Sequence, residues 1–130
     1  LQVQTGAPLW ERRLGGAPND MLALDDRLYV GSDDNFLYCL HADDGEVAWR
    51  WRTGADVIGV PVADDRRVYF VSMDNVLRAL DLRSGAQRWK RSLPNRPTRG
   101  PVRVADTLLV SGLATRVSAY LMNDGTPAGE

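Results

Sequence analysis

Apolar residues along this chain come in short runs broken by small clusters of Asp, Asn, Ser and Gly, and the order of the runs repeats. The clearest unit starts with Val57-Ile58-Gly59-Val60-Pro61-Val62-Ala63, a β-branched run with one glycine and one proline. Asp64-Asp65 then predicts a tight turn, because Asp bonds its own backbone and tolerates left-handed geometry. Arg67-Val68-Tyr69-Phe70-Val71-Ser72 follows, rich in residues that suit a pleated surface. Met73-Asp74-Asn75 turns the chain again into Val76-Leu77-Arg78-Ala79-Leu80-Asp81. After a turn at Ser84-Gly85, the run Ala86-Gln87-Arg88-Trp89-Lys90-Arg91 is the fourth and most polar. Four short strands joined by tight turns predict an antiparallel meander.

The flanking segments keep the same order. Upstream, Met21–Leu24 turns at Asp25-Asp26 into Arg27–Gly31; after Ser32–Asn35 come Phe36–Leu40 and Glu46–Arg50. Downstream, Gly100–Val104 turns at Ala105-Asp106 into Thr107–Ser111, and Arg116–Leu121 leads to the turn Asn123-Asp124-Gly125. A short phrase closes each unit: glycine recurs at 6, 45, 85 and 125, and Trp10, Trp49 and Trp89 follow the first three glycines by four residues. No helical period is sustained anywhere, so the fold class is all-β. A period near 40 with four strands and a terminal tryptophan is the pattern of a β-propeller blade.

The stretch Ala79-Leu80-Asp81-Leu82-Arg83-Ser84-Gly85-Ala86-Gln87-Arg88-Trp89 resembles the tryptophan-docking motif of pyrroloquinoline-quinone (PQQ) type propeller repeats, Ala-x-Asp-x-x-Thr-Gly-x-x-x-Trp. Arg67–Ser72 and Leu28–Ser32 resemble that family's Val-Tyr-Val-Gly-Ser strand. The resemblance covers essentially the whole chain. It implies that Trp49 and Trp89 pack between adjacent blades, that Trp10 does so for a blade mostly absent, and that Gly45, Gly85 and Gly125 permit the turn before the outer strand. Four positions depart from the motif: His41 and Leu121 stand where it has Asp, Cys39 where it has Ala, and Gly129 where it has Trp.

This reading divides the chain into an outer strand of a preceding blade within residues 1–14, a blade over 15–52, a blade over 53–92 and an incomplete blade over 93–130. Propellers close with about 4–8 blades, so three leave apolar faces and strand edges uncovered. Two arrangements resolve this. The chain, which starts at Leu1 within a repeat phrase, is a piece of a larger propeller; or copies associate head to tail, residues 8–13 of one finishing the last blade of the next.

Composition narrows the partners. The chain has 130 residues, 44% hydrophobic and 25% charged, with a net charge of −1, which favours neither nucleic acid nor an anionic membrane. One cysteine excludes an internal disulfide, and no apolar run reaches the ~20 residues of a membrane-spanning helix. The charge is uneven, however: residues 1–81 hold 14 acids against 8 bases, and residues 82–130 hold 3 against 8. Arg88, Lys90, Arg91, Arg96, Arg99 and Arg103 fall in an acid-free stretch and form a candidate docking patch for an acidic protein partner. Trp89 is the one aromatic among them, so stacking on bases is not expected.

Candidate chemistry is sparse. His41 is the single histidine and replaces a turn Asp; Cys39 lies on an inner strand and reads as a small buried hydrophobe. The pairs Asp25-Asp26, Asp43-Asp44 and Asp64-Asp65 fall at turns and lack the ligand ladder of a calcium loop. Catalytic, metal and cofactor residues are accordingly expected to be none. Quinoprotein dehydrogenases of this repeat class use adjacent cysteines, a calcium set and eight blades, none of which this chain supplies. By resemblance, the expected role is that of a non-catalytic scaffold, closest to the periplasmic lipoprotein propeller of the outer-membrane β-barrel assembly machinery. The implied setting is exported, periplasmic or cell-surface. The alternatives are a fragment of a PQQ-dependent dehydrogenase and the extracellular sensor propeller of a receptor or kinase.

Overall fold

A computed structural model of the chain describes residues 9–113 and 115–129. The described residues form twelve strands and no helix, arranged as three four-stranded antiparallel sheets. The first blade comprises β1 (Pro18–Leu24), β2 (Arg27–Ser32), β3 (Phe36–His41) and β4 (Val47–Arg52). The second comprises β5 (Val57–Ala63), β6 (Arg67–Ser72), β7 (Val76–Asp81) and β8 (Gln87–Ser92). The third comprises β9 (Val102–Val104), β10 (Thr107–Ser111), β11 (Val117–Leu121) and β12 (Pro127–Gly129).

Each sheet is a meander whose register repeats. The pairing of β2 with β3 runs from Arg27↔His41 to Ser32↔Phe36, and that of β6 with β7 from Arg67↔Asp81 to Ser72↔Val76. The β2–β3 and β6–β7 turns end on Asn35 and Asn75, at φ +66° and +64°, a left-handed conformation that Asn adopts at low cost.

The middle strands of the second blade are apolar on both sides because neighbouring blades cover both faces. On β6, Val68 and Phe70 face the first blade and pack with Tyr29, Leu37, Cys39 and Trp49. The alternate residues Tyr69 and Val71 face the third blade and pack with Leu108, Val110, Tyr120 and Met122. This period-two division explains why β6 reads as one unbroken apolar run. The outer strands meet solvent and carry the charge, as in Gln87–Ser92.

Each meander has two ends. The docking end holds the turns between first and second strands and between third and fourth strands. The linker end holds the turns between second and third strands and the links from blade to blade.

Two strand expectations differ from the structure. The last sheet has its own fourth strand, Pro127–Gly129, pairing through Tyr120↔Pro127 and Ala119↔Gly129. Proline and glycine give it no strand signature, yet an outer edge accepts a residue that donates no ladder bond. This segment holds the place that residues 8–13 of a second copy would take. Conversely, residues 9–14 form no strand, and residues 1–8, with the start of the first phrase, lie outside the described residues.

Candidate functional site

The tryptophans hold the blades together through one repeated geometry. Trp10 Nε1 donates to Ala42 O at 2.8 Å, Trp49 Nε1 to Leu82 O at 2.9 Å, and Trp89 Nε1 to Met122 O at 2.9 Å. Each indole lies flat on a glycine of the next phrase, namely Gly45, Gly85 and Gly125. A Cβ at Gly85 would stand 2.6 Å from Trp49 Cδ2, and φ there is +74°, so close approach and backbone conformation both require glycine. Tyr29 and Tyr69 brace Trp49 and Trp89 at ring-centroid distances of 6.0 and 5.9 Å.

A second set of contacts had not been singled out in the sequence. Arg27 Nη1 donates to Leu82 O at 3.0 Å and to Arg83 O at 3.3 Å. Forty residues on, Arg67 Nη1 donates to Met122 O at 3.3 Å and to Asn123 O at 2.6 Å. The carbonyl that receives the indole therefore also receives a guanidinium from the preceding blade. The readable signal was an arginine opening the second strand of two successive units; Thr107 takes its place in the third. A further arginine, two residues after the tryptophan, bonds the docked glycine: Arg12 Nε to Gly45 O at 2.8 Å and Arg91 Nε to Gly125 O at 2.6 Å. Trp51 occupies the corresponding place in the first blade, and its buried Nε1 has no acceptor.

The departures from the repeat motif are absorbed by the backbone. Gly45 N donates to His41 O and Gly125 N to Leu121 O at 2.8 Å, as Gly85 N does to Asp81 O at 2.9 Å. Where the leading Asp is lost, a later one caps the turn: Asp44 Oδ1 accepts from Glu46 N and Asp124 Oδ1 from Thr126 N. Asp81 accepts from the amides of Arg83 and Ser84 and from Arg88. The Ser84 amide, followed by the Arg88 guanidinium, holds its carboxyl at about 2. Asp44, Asp81 and Asp124 thus cap turns, as Asp64 does through the amides of Arg66 and Arg67, and no cluster of three metal-ligating side chains occurs among the described residues. Cys39 is fully buried, and burial pushes its thiol up, the opposite of an activated nucleophile.

The six bases of the candidate patch separate. Arg88 pairs with Asp81 at 3.0 Å, and Arg91 is engaged on Gly125. Arg103 bonds Ala105 O and Ala63 O at the docking end. Lys90 stands on outer strand β8, exposed. Arg96 and Arg99 remain together on the link from second to third blade, exposed and with no side-chain partner among the described residues. That link is held firmly: Pro97 is buried and bridges Gly112, Leu113 N donates to Arg96 O at 3.1 Å, and Thr98 N to Ser111 O at 3.4 Å. A Cβ at Gly112 would collide with Arg96 O, so glycine admits the link at this point.

Three meander sheets, joined by indole-on-glycine docking at a 40-residue period, define consecutive blades of a PQQ-type β-propeller. The chain belongs to the family of outer membrane protein assembly factor BamB, whose sequence profile matches residues 1–129. It is 29% identical over 142 residues to outer membrane protein assembly factor BamB of Yersinia pestis, covering 96% of this chain and 36% of that protein. The crystal structure of BamB from Moraxella catarrhalis superposes with a TM-score of 0.81 at 22% identity, over 99% of this chain and 44% of that one. A quinohemoprotein alcohol dehydrogenase from Pseudomonas putida superposes at 0.73 with 19% identity, over 92% of this chain and 21% of that one. The blade geometry is thus common to an assembly factor and an oxidoreductase, and it identifies fold only. The chain spans less than half the length of these relatives.

Proposed function

We propose that this chain is a non-catalytic propeller segment that serves as a protein-interaction scaffold in outer-membrane protein assembly, at the periplasmic face of that membrane. The reading is supported by family membership together with one observation: Arg96 and Arg99, exposed and with no side-chain partner among the described residues, project from a link clamped by Pro97 and Gly112. Pairing costs an arginine side-chain rotamer freedom, and a link already held in place spares the further cost of ordering its backbone. Arg88, Arg91 and Arg103 have structural work inside the propeller and are not counted in the docking surface.

The test is a photo-activatable residue at position 98, exposed between the two arginines, in the intact bacterial protein. A discrete adduct with an outer-membrane assembly component is expected, and its loss on Arg96→Glu with Arg99→Glu supports the reading. An adduct that persists in a folded double variant overturns it. Head-to-tail self-association is a separate reading that requires displacement of Pro127–Gly129; a dimer or trimer by light scattering would favour it.

A further inference from the structure

Leu113 has 74% of its surface exposed, more than any other large apolar residue described. It sits in the turn between β10 and β11, at the linker end, directly beside the Arg96–Arg99 link. Its amide donates to Arg96 O at 3.1 Å, and the neighbouring Gly112 bridges Pro97. An isolated exposed leucine is ordinary on a surface. A leucine fixed through its own backbone to exposed Arg96 is a composite surface, with one apolar and one cationic element in fixed relation.

The charge around it has one sign. From residue 93 to residue 123 the single acid is Asp106, which lies in the β9–β10 turn at the docking end. At the linker end of the third blade Arg96 and Arg99 are both exposed, and no acid occurs in the sequence of that link or of the β10–β11 turn.

We infer that Leu113 is the apolar anchor of the docking surface, and that the partner presents a peptide segment in which a large apolar side chain stands beside carboxylates. This rests on the proposed scaffold role of Arg96 and Arg99 and specifies the chemistry of the segment they would meet. Arginines alone would select acidic segments, through contacts that salt screens strongly. Burying Leu113 against an apolar side chain adds a contribution that salt does not screen, and it fixes where along the segment the acids must fall.

The experiment is selection of random-peptide phage on the immobilised chain, carried out in parallel on wild type, Leu113→Ser and the Arg96→Glu, Arg99→Glu double variant. Leu113 is exposed, and matched circular dichroism checks that its variant keeps the fold. Wild type is expected to enrich peptides that place Leu, Ile, Phe or Met next to Asp or Glu. Leu113→Ser is expected to keep the acidic preference, lose the apolar one, and bind a peptide selected on wild type at least about fivefold more weakly. Identical enrichment on wild type and Leu113→Ser, or none on wild type, overturns the assignment of Leu113. Unchanged acidic enrichment on the double arginine variant overturns the scaffold reading of the arginines instead.

Discussion

The indole of Trp49 and the backbone of Gly85 belong to different blades, yet a Cβ at Gly85 would stand within 2.9 Å of Trp49 Cδ2, Cε3 and Cγ, and Trp49 Nε1 is bonded to Leu82 O three residues before that glycine. The bond fixes the ring's height and the missing Cβ fixes its distance. Packing and hydrogen bonding therefore specify the same blade-to-blade spacing, and the geometry returns at Trp89 and Gly125.

Gly85→Ala tests this directly. The substitution places a methyl against the indole and imposes φ +74° on a residue with a Cβ. Left-handed strain and overpacking together are expected to cost about 2–4 kcal/mol. Urea denaturation should show a lower midpoint, and near-ultraviolet circular dichroism should report a changed Trp49 environment. Gly54→Ala is a comparison outside the docking sites; there the clash is with the Asp74 carboxylate, which Ser72 and Arg78 hold, so any loss arises away from the Trp49 indole and should leave its near-ultraviolet signal unchanged.

Trp49 and Trp51 stand two residues apart on one strand and separate packing from hydrogen bonding. Trp49 Nε1 has Leu82 O as acceptor, whereas Trp51 Nε1 is buried without one. Trp49→Phe removes a formed bond, and Trp51→Phe removes a donor that is already unsatisfied. The loss at 49 should exceed that at 51 by about 1 kcal/mol. Equal losses in chemical denaturation would show that the indole bond contributes nothing beyond ring burial.

Much of this architecture was legible in the residues. The tryptophan–glycine spacing, the paired turn acids and the two-faced apolar runs each report a local constraint that one residue type satisfies best. What escaped was set by neighbours distant in sequence. Arg27 and Arg67 look like ordinary strand-opening charges until the turn of the next blade, some 55 residues on, receives them. Pro127–Gly129 lacks strand-forming residues and pairs because β11 offers it an edge. The basic stretch read as one patch because its members are close in sequence; alternation along β8 and the direction of Arg103 send them to different places.

Acid should loosen the blades through their turns. Asp81 is held at about 2, chiefly by the Ser84 amide and then Arg88. Burial of Asp64 raises its carboxyl, but the Tyr69 hydroxyl and the amides of Arg66 and Arg67 outweigh this and leave it below its ordinary value. Asp124 is lowered by the hydroxyl and amide of Thr126. All three bind protons less readily folded than unfolded, where the reference is 3.8. Their stabilisation is therefore present above about pH 4 and declines as pH falls below it, the part from Asp81 being lost as pH approaches about 2. Melting temperature should decline across that window, and Asp81→Asn should lower it at pH 7 while making the acid decline shallower. Parallel profiles for wild type and Asp81→Asn would exclude a contribution from this carboxylate.

Ala105 offers a test in the stabilising direction. It opens the two-residue turn between β9 and β10 at φ +53°, and the matching position in the first blade, Asp25, has φ +54°. Aspartate tolerates that conformation because its side chain bonds the local backbone, whereas alanine has a Cβ to crowd the chain and no polar group to compensate. Ala105 is exposed, so a larger polar residue meets no packing constraint. Ala105→Asn should therefore stabilise the chain by about 1 kcal/mol, from relief of left-handed strain. Ala105→Gly should gain less, since glycine relieves the same strain but adds freedom to the unfolded chain. Ala105→Val should destabilise, because a β-branched side chain is least compatible with positive φ. The order Asn, Gly, Ala, Val in thermal midpoint is the expected result; valine at or above alanine would show that the turn changes conformation to accommodate its side chain.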